Sequence, residues 1–285
     1  MPIPSLDRLV RFKNPSGHVF YGAVPDKESS AQSLKGQSVS TYKGEYPWGD
    51  DFEPTGAQET IEEVLCPIPS MPIGYGAGVN YQAHSQEAGL SAVDFPLVFT
   101  KTPGSLAGPF DDVPLNKALP DIDYEGELTV VMGRECKDLK DDEDPAAYIL
   151  GYTVGNDVSS RYWQDPKRCG GQHGYAKSFD KFAPIGPVLV STTAIPDPKQ
   201  LTMKTRVNGE QRQMTRTDDL IFDIPALIRH ISRGTTLHPG TIIMTGTPSG
   251  VGAFMKPATW LKDGDIVEVE ISQIGTLRNR MVADK

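Results

Sequence analysis

Two glutamates separated by one glycine stand in Asp123-Tyr124-Glu125-Gly126-Glu127-Leu128-Thr129-Val130-Val131, the segment of this sequence best able to do chemistry. The β-branched second half predicts a strand, and residues two apart on a strand point to one face. Glu125 and Glu127 then converge, which is costly for two carboxylates unless they share a proton or a cation. Oxygen donors without a thiol or imidazole among them suit a hard cation such as Mg²⁺, Mn²⁺ or Ca²⁺. A solvated acidic face is the competing reading. A second strand-like run, Tyr152 to Val158, carries Asp157 at its end. That carboxylate can supply a third oxygen ligand or simply cap the turn that follows.

Three further segments carry reactive groups. In Gly74 to Gly89, Asn80 suits the N-cap of a short helix, and His84 and Glu87 lie three apart, on one helical face. A carboxylate that orients an imidazole makes a general base able to activate water near neutral pH, although a surface His–Glu pair has the same spacing. Lys177, after a Gly-rich loop, can stabilise an enolate or oxyanion, or can be solvated. Thr245 to Gly252 combines hydroxyls with freed backbone amides, which suits carboxylate binding by a nest of N–H groups as well as an ordinary tight turn.

The elements that must hold these groups are mostly strands. Val10–Phe12 and Val19–Tyr21 flank Asn14-Pro15-Ser16-Gly17, a strand–turn–strand pattern. A polar stretch from Asp26 to about Thr60 follows, then Cys66-Pro67-Ile68-Pro69-Ser70-Met71-Pro72, whose prolines block helix and ladder alike and read as a linker. Leu201–Val207, Asn208-Gly209 and Glu210–Met214 form a hairpin pattern, because Asn-Gly supplies the positive φ of a type I′ turn. Asp223, Pro225 and the stripe Ile224, Leu227, Ile228 and Ile231 predict a capped helix. Thr241–Thr245, Ile266–Ile271 and Thr276–Val282 read as further strands. Many strands with few helices argue for a β-rich domain, and neither a GxxxxGK[ST] loop nor a strand-linked GxGxxG occurs.

Composition excludes more than it names. A formal net charge of −9 disfavours nucleic acid and anionic membrane surfaces as partners. Three scattered cysteines make no disulfide framework or zinc knuckle. No basic leader with an apolar run and no membrane-length apolar stretch is visible, so the expected location is the cytoplasm, with a mitochondrial matrix location left open.

Taken in chain order, six segments resemble the fumarylacetoacetate hydrolase family. They are Asn80-Tyr81-x-x-His84-x-x-Glu87, Tyr124-Glu125-Gly126-Glu127, Gly151-Tyr152-Thr153-x-x-Asn156-Asp157-Val158-Ser159-x-Arg161, Lys177-Ser178-Phe179-Asp180, Thr245-Gly246-Thr247-Pro248-x-Gly250-Val251-Gly252 and Gly275-Thr276-Leu277-Arg278-Asn279. The resemblance implies a β-rich, mixed α+β fold: a β-roll or β-sandwich catalytic domain over 71–285, a small N-terminal domain over 1–70, and a homodimer. It implies a divalent cation, Mg²⁺ or else Mn²⁺ or Ca²⁺, on Glu125, Glu127 and Asp157. His84 and Glu87 match the water-activating pair, carried on a lid, and Lys177 matches the lysine near the metal. Tyr81, Lys101, Arg161, Gln164, Gly246 and Thr247 fall where members contact substrate.

The implied substrate is a small 2-oxo acid. Hydrolysis of a C–C bond in an acylpyruvate- or fumarylacetoacetate-like acid, giving a pyruvate-type product and a carboxylic acid, leads because both members of the dyad are present. Oxaloacetate decarboxylation, or isomerisation or tautomerisation of a 2-oxo acid, needs the same metal site without an attacking water. A non-catalytic metal-binding protein would be expected to lack a ligand or part of the dyad. His173, in the segment Arg161 to Tyr175, reads as a surface-loop residue.

Overall fold

The strands at the centre of the fold are those whose sequences give no polar face. Gly126–Met132 and Ile149–Asn156 are buried along their whole lengths and pair antiparallel, Gly126 opposite Asn156 and Val130 opposite Tyr152. Such strands are covered on both sides, which is why they read as continuous apolar runs without alternation. The computed structural model, which describes residues 7–25, 30–89 and 93–284, places them inside a large mixed sheet. Residues 1–6, on which the expectation of no secretory leader rests, lie outside the described residues.

In that sheet Gly126–Met132 is followed on one side by Ile242–Met244, then Gly74–Gly78 and Leu97–Lys101. On the other side come Ile149–Asn156, Ala183–Val190 and the N-terminal strands. The predicted N-terminal hairpin forms from Arg8–Lys13 and Val19–Ala23, and Leu9 pairs with Leu189. The polar stretch adds Ser38–Lys43 and Glu53–Thr60 at the sheet's end, the latter largely exposed. The proline-rich connection is packed rather than loose: Ile68 and Met71 join Tyr21, Leu189 and Ile242 in one buried cluster. The division at residue 70 falls in this irregular connection, and strands from both sides of it share the sheet.

A second sheet runs Glu210–Arg216, Thr202–Val207, Ile266–Ile271, Gly275–Ala283 and Asp112–Leu115. Thr202–Val207 and Ile266–Ile271 alternate half-buried and buried, the pattern of strands with one face on the core. Asn208 and Gly209 turn the expected hairpin with φ of 53° and 82°. The two sheets meet closely: a Cβ on Gly126 would lie 2.2 Å from Thr205 Oγ1 and 3.0 Å from Val269 Cγ1. Neither sheet closes into a barrel, so the β-rich, mixed architecture expected from the sequence is the one found.

The helix Ile224–Ile231 is capped by Asp223, which accepts from the amide of Ala226, and buries Ile224, Leu227, Ile228 and Ile231 as the pattern requires. Among the described residues, no helix is long and apolar enough to cross a membrane.

Candidate active site

Register along the central strand pair sets the acidic cluster. Glu125 precedes Gly126–Met132, and its amide donates to Asn156 Oδ1 at 2.9 Å, while the Asp157 amide donates to the Glu125 carbonyl at 2.8 Å. These bonds put Asp157, just past one strand, against Glu125, just before its antiparallel partner. Glu127 enters from the same face one step along. One carboxylate oxygen from each of Glu125, Glu127 and Asp157 lies within 4.8 Å of the others, and all three residues are buried.

Cations pack around this cluster. Lys177 Nζ donates to Glu125 Oε2 at 2.9 Å, Asp157 Oδ2 at 2.5 Å and Ser159 Oγ at 2.7 Å. Burial pulls the Lys177 ammonium down, but Asp157 and Glu125 outweigh it and hold the group above its ordinary range. Lys177 is therefore charged and is no general base. Its three N–H groups are committed to these oxygens. Burial pushes the Glu125 carboxyl up, yet Lys177 and Arg161 prevail and hold it at about 2. Arg161 pairs with Glu125 Oε1 at 2.7 Å and with Asp123 Oδ2 at 2.8 Å, and donates to Gln164 Oε1 at 2.7 Å.

Glu127 differs from its neighbours. Burial, then Asp157 and Glu125, push its carboxyl well above the usual range, and it forms no ion pair among the described residues. Its hydrogen bond comes from the Gly246 amide at 2.6 Å. Among the described residues, Lys101, Lys177 and Arg161 pair with Asp123, Glu125 and Asp157 while Glu127 has no ion pair, so the buried cluster holds one carboxyl more than its cations. A divalent cation would supply the missing positive charge, and the oxygen-only donor set suits a hard one. The residues fit the metal that the sequence implies.

His84 and Glu87 meet on the short helix Gln82–Glu87, with His84 Nδ1 3.0 Å from Glu87 Oε2. Glu87 is fixed in turn by the Gly250 amide at 3.0 Å, and the His84 ring packs edge-on to Phe254 at 5.6 Å. A carboxylate on Nδ1 leaves Nε2 as the basic nitrogen. A cavity of about 570 Å³ joins these groups: His84, Glu125, Arg161, Gln164, Lys177 and Thr247 all line it.

Several expectations change in three dimensions. Asn80 does not cap the helix, which starts after Tyr81 without a side-chain cap. Its amide instead binds Phe222 and the Thr245 carbonyl, tying the helix's approach to two other segments. The Thr245–Gly252 amides do bind carboxylates, but the protein's own: Gly246 holds Glu127, Gly250 holds Glu87 and Gly252 holds Asp123. Lys101, expected at the substrate, is wholly buried behind Asp157, donating to it at 2.5 Å and to the Lys177 carbonyl. Tyr81 is equally buried and lies outside the cavity lining, its hydroxyl unpaired. His173 is no surface-loop residue but half-buried in the cavity wall. Asp123 and Gln213 went unread; Asp123 shares the period-two face of Glu125 and Glu127, which could have found it. Gln213, on the second sheet, bonds the Gly126 amide and Thr247 Oγ1 at 3.1 and 2.8 Å and has no local signal.

A model of the fumarylacetoacetate (FAA) hydrolase C-terminal region matches residues 74–282, the span that carries every one of these groups. The chain belongs to the fumarylacetoacetate hydrolase family. Among relatives of this family member, a Rattus norvegicus protein named oxaloacetate tautomerase Fahd2a, mitochondrial, is 42% identical over 205 residues, 72% of this chain and 64% of that protein. The chain thus spans less than two thirds of that relative's length. A solved structure titled 2-hydroxyhepta-2,4-diene-1,7-dioate isomerase, from Mycobacterium marinum, matches with a TM-score of 0.80 at 33% identity, covering 97% of this chain and 98% of that one. Another, titled fumarylacetoacetate hydrolase from Exiguobacterium antarcticum, matches at 0.78 and 31%, covering 97% and 99%. These family members are named for enzyme activities on small acids.

Proposed function

We propose that this family member is a divalent-cation-dependent isomerase that interconverts keto and enol forms of a small 2-oxo diacid of the oxaloacetate type. The observation that carries this reading is the opening of one imidazole, His84, and one fixed cation, Lys177, onto a single cavity beside a metal-competent acidic triad. The named activities of the relatives tip the choice toward isomerisation over C–C hydrolysis.

Mg²⁺, with Mn²⁺ or Ca²⁺ as substitutes, held by Glu125, Glu127 and Asp157, would supply Lewis-acid polarisation of the 2-oxo acid. Glu87 keeps His84 Nδ1 protonated and aims Nε2, which removes a proton from the carbon next to the keto group and returns it to product. Lys177 offsets the negative charge that develops on the oxygen without giving up a proton. Phe254 stands against the His84 ring at 5.6 Å on the cavity wall. We carry the homodimer, the split at residue 70 and a cytoplasmic or matrix location as parts of the same proposal.

Acylpyruvate hydrolysis stays as the second reading, because His84 with Glu87 can equally activate a water and because the Exiguobacterium structure bears a hydrolase title. One assay separates them. With Mg²⁺, decay of enol absorbance without pyruvate formation supports tautomerisation. Stoichiometric release of pyruvate and a carboxylic acid from an acylpyruvate, without catalysed enol decay, overturns it.

A further inference from the structure

We infer that His173, together with Gln164, forms the subsite for the carboxylate farther from the 2-oxo group. This rests on the reading of the substrate as a 2-oxo diacid. Such an acid needs two anion sites, and the near one belongs to the metal triad and Lys177. Arg161 is the obvious candidate for the far one, but Asp123, Glu125 and Gln164 already engage its guanidinium.

The free donors lie next to it. Gln164 Oε1 is occupied by Arg161, which turns its amide nitrogen toward His173 Nδ1, 3.5 Å away. With Nδ1 facing a donor, the ring carries its proton on Nε2, which has no hydrogen-bond partner among the described residues. Both residues line the cavity and both are half-buried. Burial, then Lys177 and Arg161, lower the His173 ring against the opposing pull of Glu125 and Asp157, so it acts as a neutral N–H donor near pH 7.

Spacing agrees. His173 immediately precedes the single helical turn Gly174–Lys177, so about 6 Å of helix rise separates it from Lys177. The Phe99 ring is near both, 6.4 Å from the His173 ring and 4.8 Å from Lys177 Nζ. Two groups gathered near one ring can hold the two ends of a short diacid.

The test is calorimetric titration of the Mg²⁺-loaded protein with two unreactive analogues, malate and 2-hydroxybutanoate, which differ by the distal carboxylate. Wild type should bind malate about tenfold more tightly, the order of one hydrogen bond to a charged group. His173→Leu should abolish that preference and leave 2-hydroxybutanoate binding unchanged, while His173→Gln, which retains a donor, should restore part of it. In turnover, His173→Leu should raise KM for oxaloacetate about tenfold with kcat within about twofold. A preference for malate that survives in His173→Leu, equal loss of both ligands, or no preference in wild type overturns the subsite. Malate preference lost with His173, in a protein that catalyses no enol decay, would sink the proposed activity and leave the subsite standing. An unchanged Mg²⁺-induced thermal shift in both variants serves as the folding control.

Discussion

Glu87 Oε2 lies 3.0 Å from His84 Nδ1 while the other oxygen of the same carboxylate accepts from the Gly250 amide, also at 3.0 Å. The imidazole and its carboxylate are thus clamped between their own helix and the loop that follows the strand Ile242–Met244.

This clamp predicts a separation of catalysis from metal binding. His84→Ala should lower kcat about 10²- to 10⁴-fold, the range of general-base catalysis, with Mg²⁺ affinity nearly unchanged. Glu87→Gln should give a smaller loss by misdirecting the imidazole. Paired steady-state kinetics and calorimetric Mg²⁺ titration check both, and a large loss of metal affinity in His84→Ala would refute the assigned role.

The buried Glu127 carboxyl, which has no ion-pair partner among the described residues, predicts how stability responds to metal. Mg²⁺ at a hundredfold over its Kd should stabilise wild type by about 2.7 kcal/mol, reversed by chelator. Glu127→Gln should raise the Tm of the metal-free protein, because it removes a buried carboxylate without an ion-pair partner, and should lose most of the Mg²⁺ shift. Thermal melts with Mg²⁺ and with EDTA decide this; a lower metal-free Tm would contradict it.

Gly126 predicts a packing defect with a functional echo. Its missing Cβ would meet Thr205 Oγ1 at 2.2 Å and Val269 Cγ1 at 3.0 Å, so Gly126→Ala must displace these side chains or push the strand that carries Glu127 away from the second sheet. The expected cost is about 1–3 kcal/mol in chemical denaturation, with weakened Mg²⁺ binding. Unchanged metal affinity would show that the triad tolerates strand displacement.

Asp223 predicts an acid limb of stability. Burial pushes its carboxyl up, but Lys199 at 2.9 Å and the Ala226 amide win and hold it below its ordinary range. A depressed carboxylate stabilises fully above its unfolded pKa, and that contribution is lost as pH falls through the lower folded value. Asp223→Ala should cost about 1 kcal/mol at neutral pH, the worth of a helix cap, and should flatten the stability profile between pH 4 and the onset of acid unfolding. Denaturation midpoints across that range give the answer.

Sequence reasoning found groups whose signals are local. The ExE spacing, the three-residue step from His84 to Glu87, the Asn208-Gly209 turn and the Asp223 cap each depend on neighbours within a few positions. Strand and helix periodicity turn those spacings into shared faces. The convergence of Asp157 on the glutamates was legible only as a possibility, because it depends on which residue of one strand lies opposite which residue of another.

Tertiary structure alone decided how donors were shared out. The Gly246, Gly250 and Gly252 amides went to Glu127, Glu87 and Asp123 rather than to a ligand, and Lys101 went behind Asp157 instead of into the cavity. His173 moved from an apparent surface loop to the cavity wall. The physical reason is common to all of them. A buried polar group must find a partner, and in a fold of two stacked sheets that partner comes from segments far away in the chain, a pairing that no local pattern encodes.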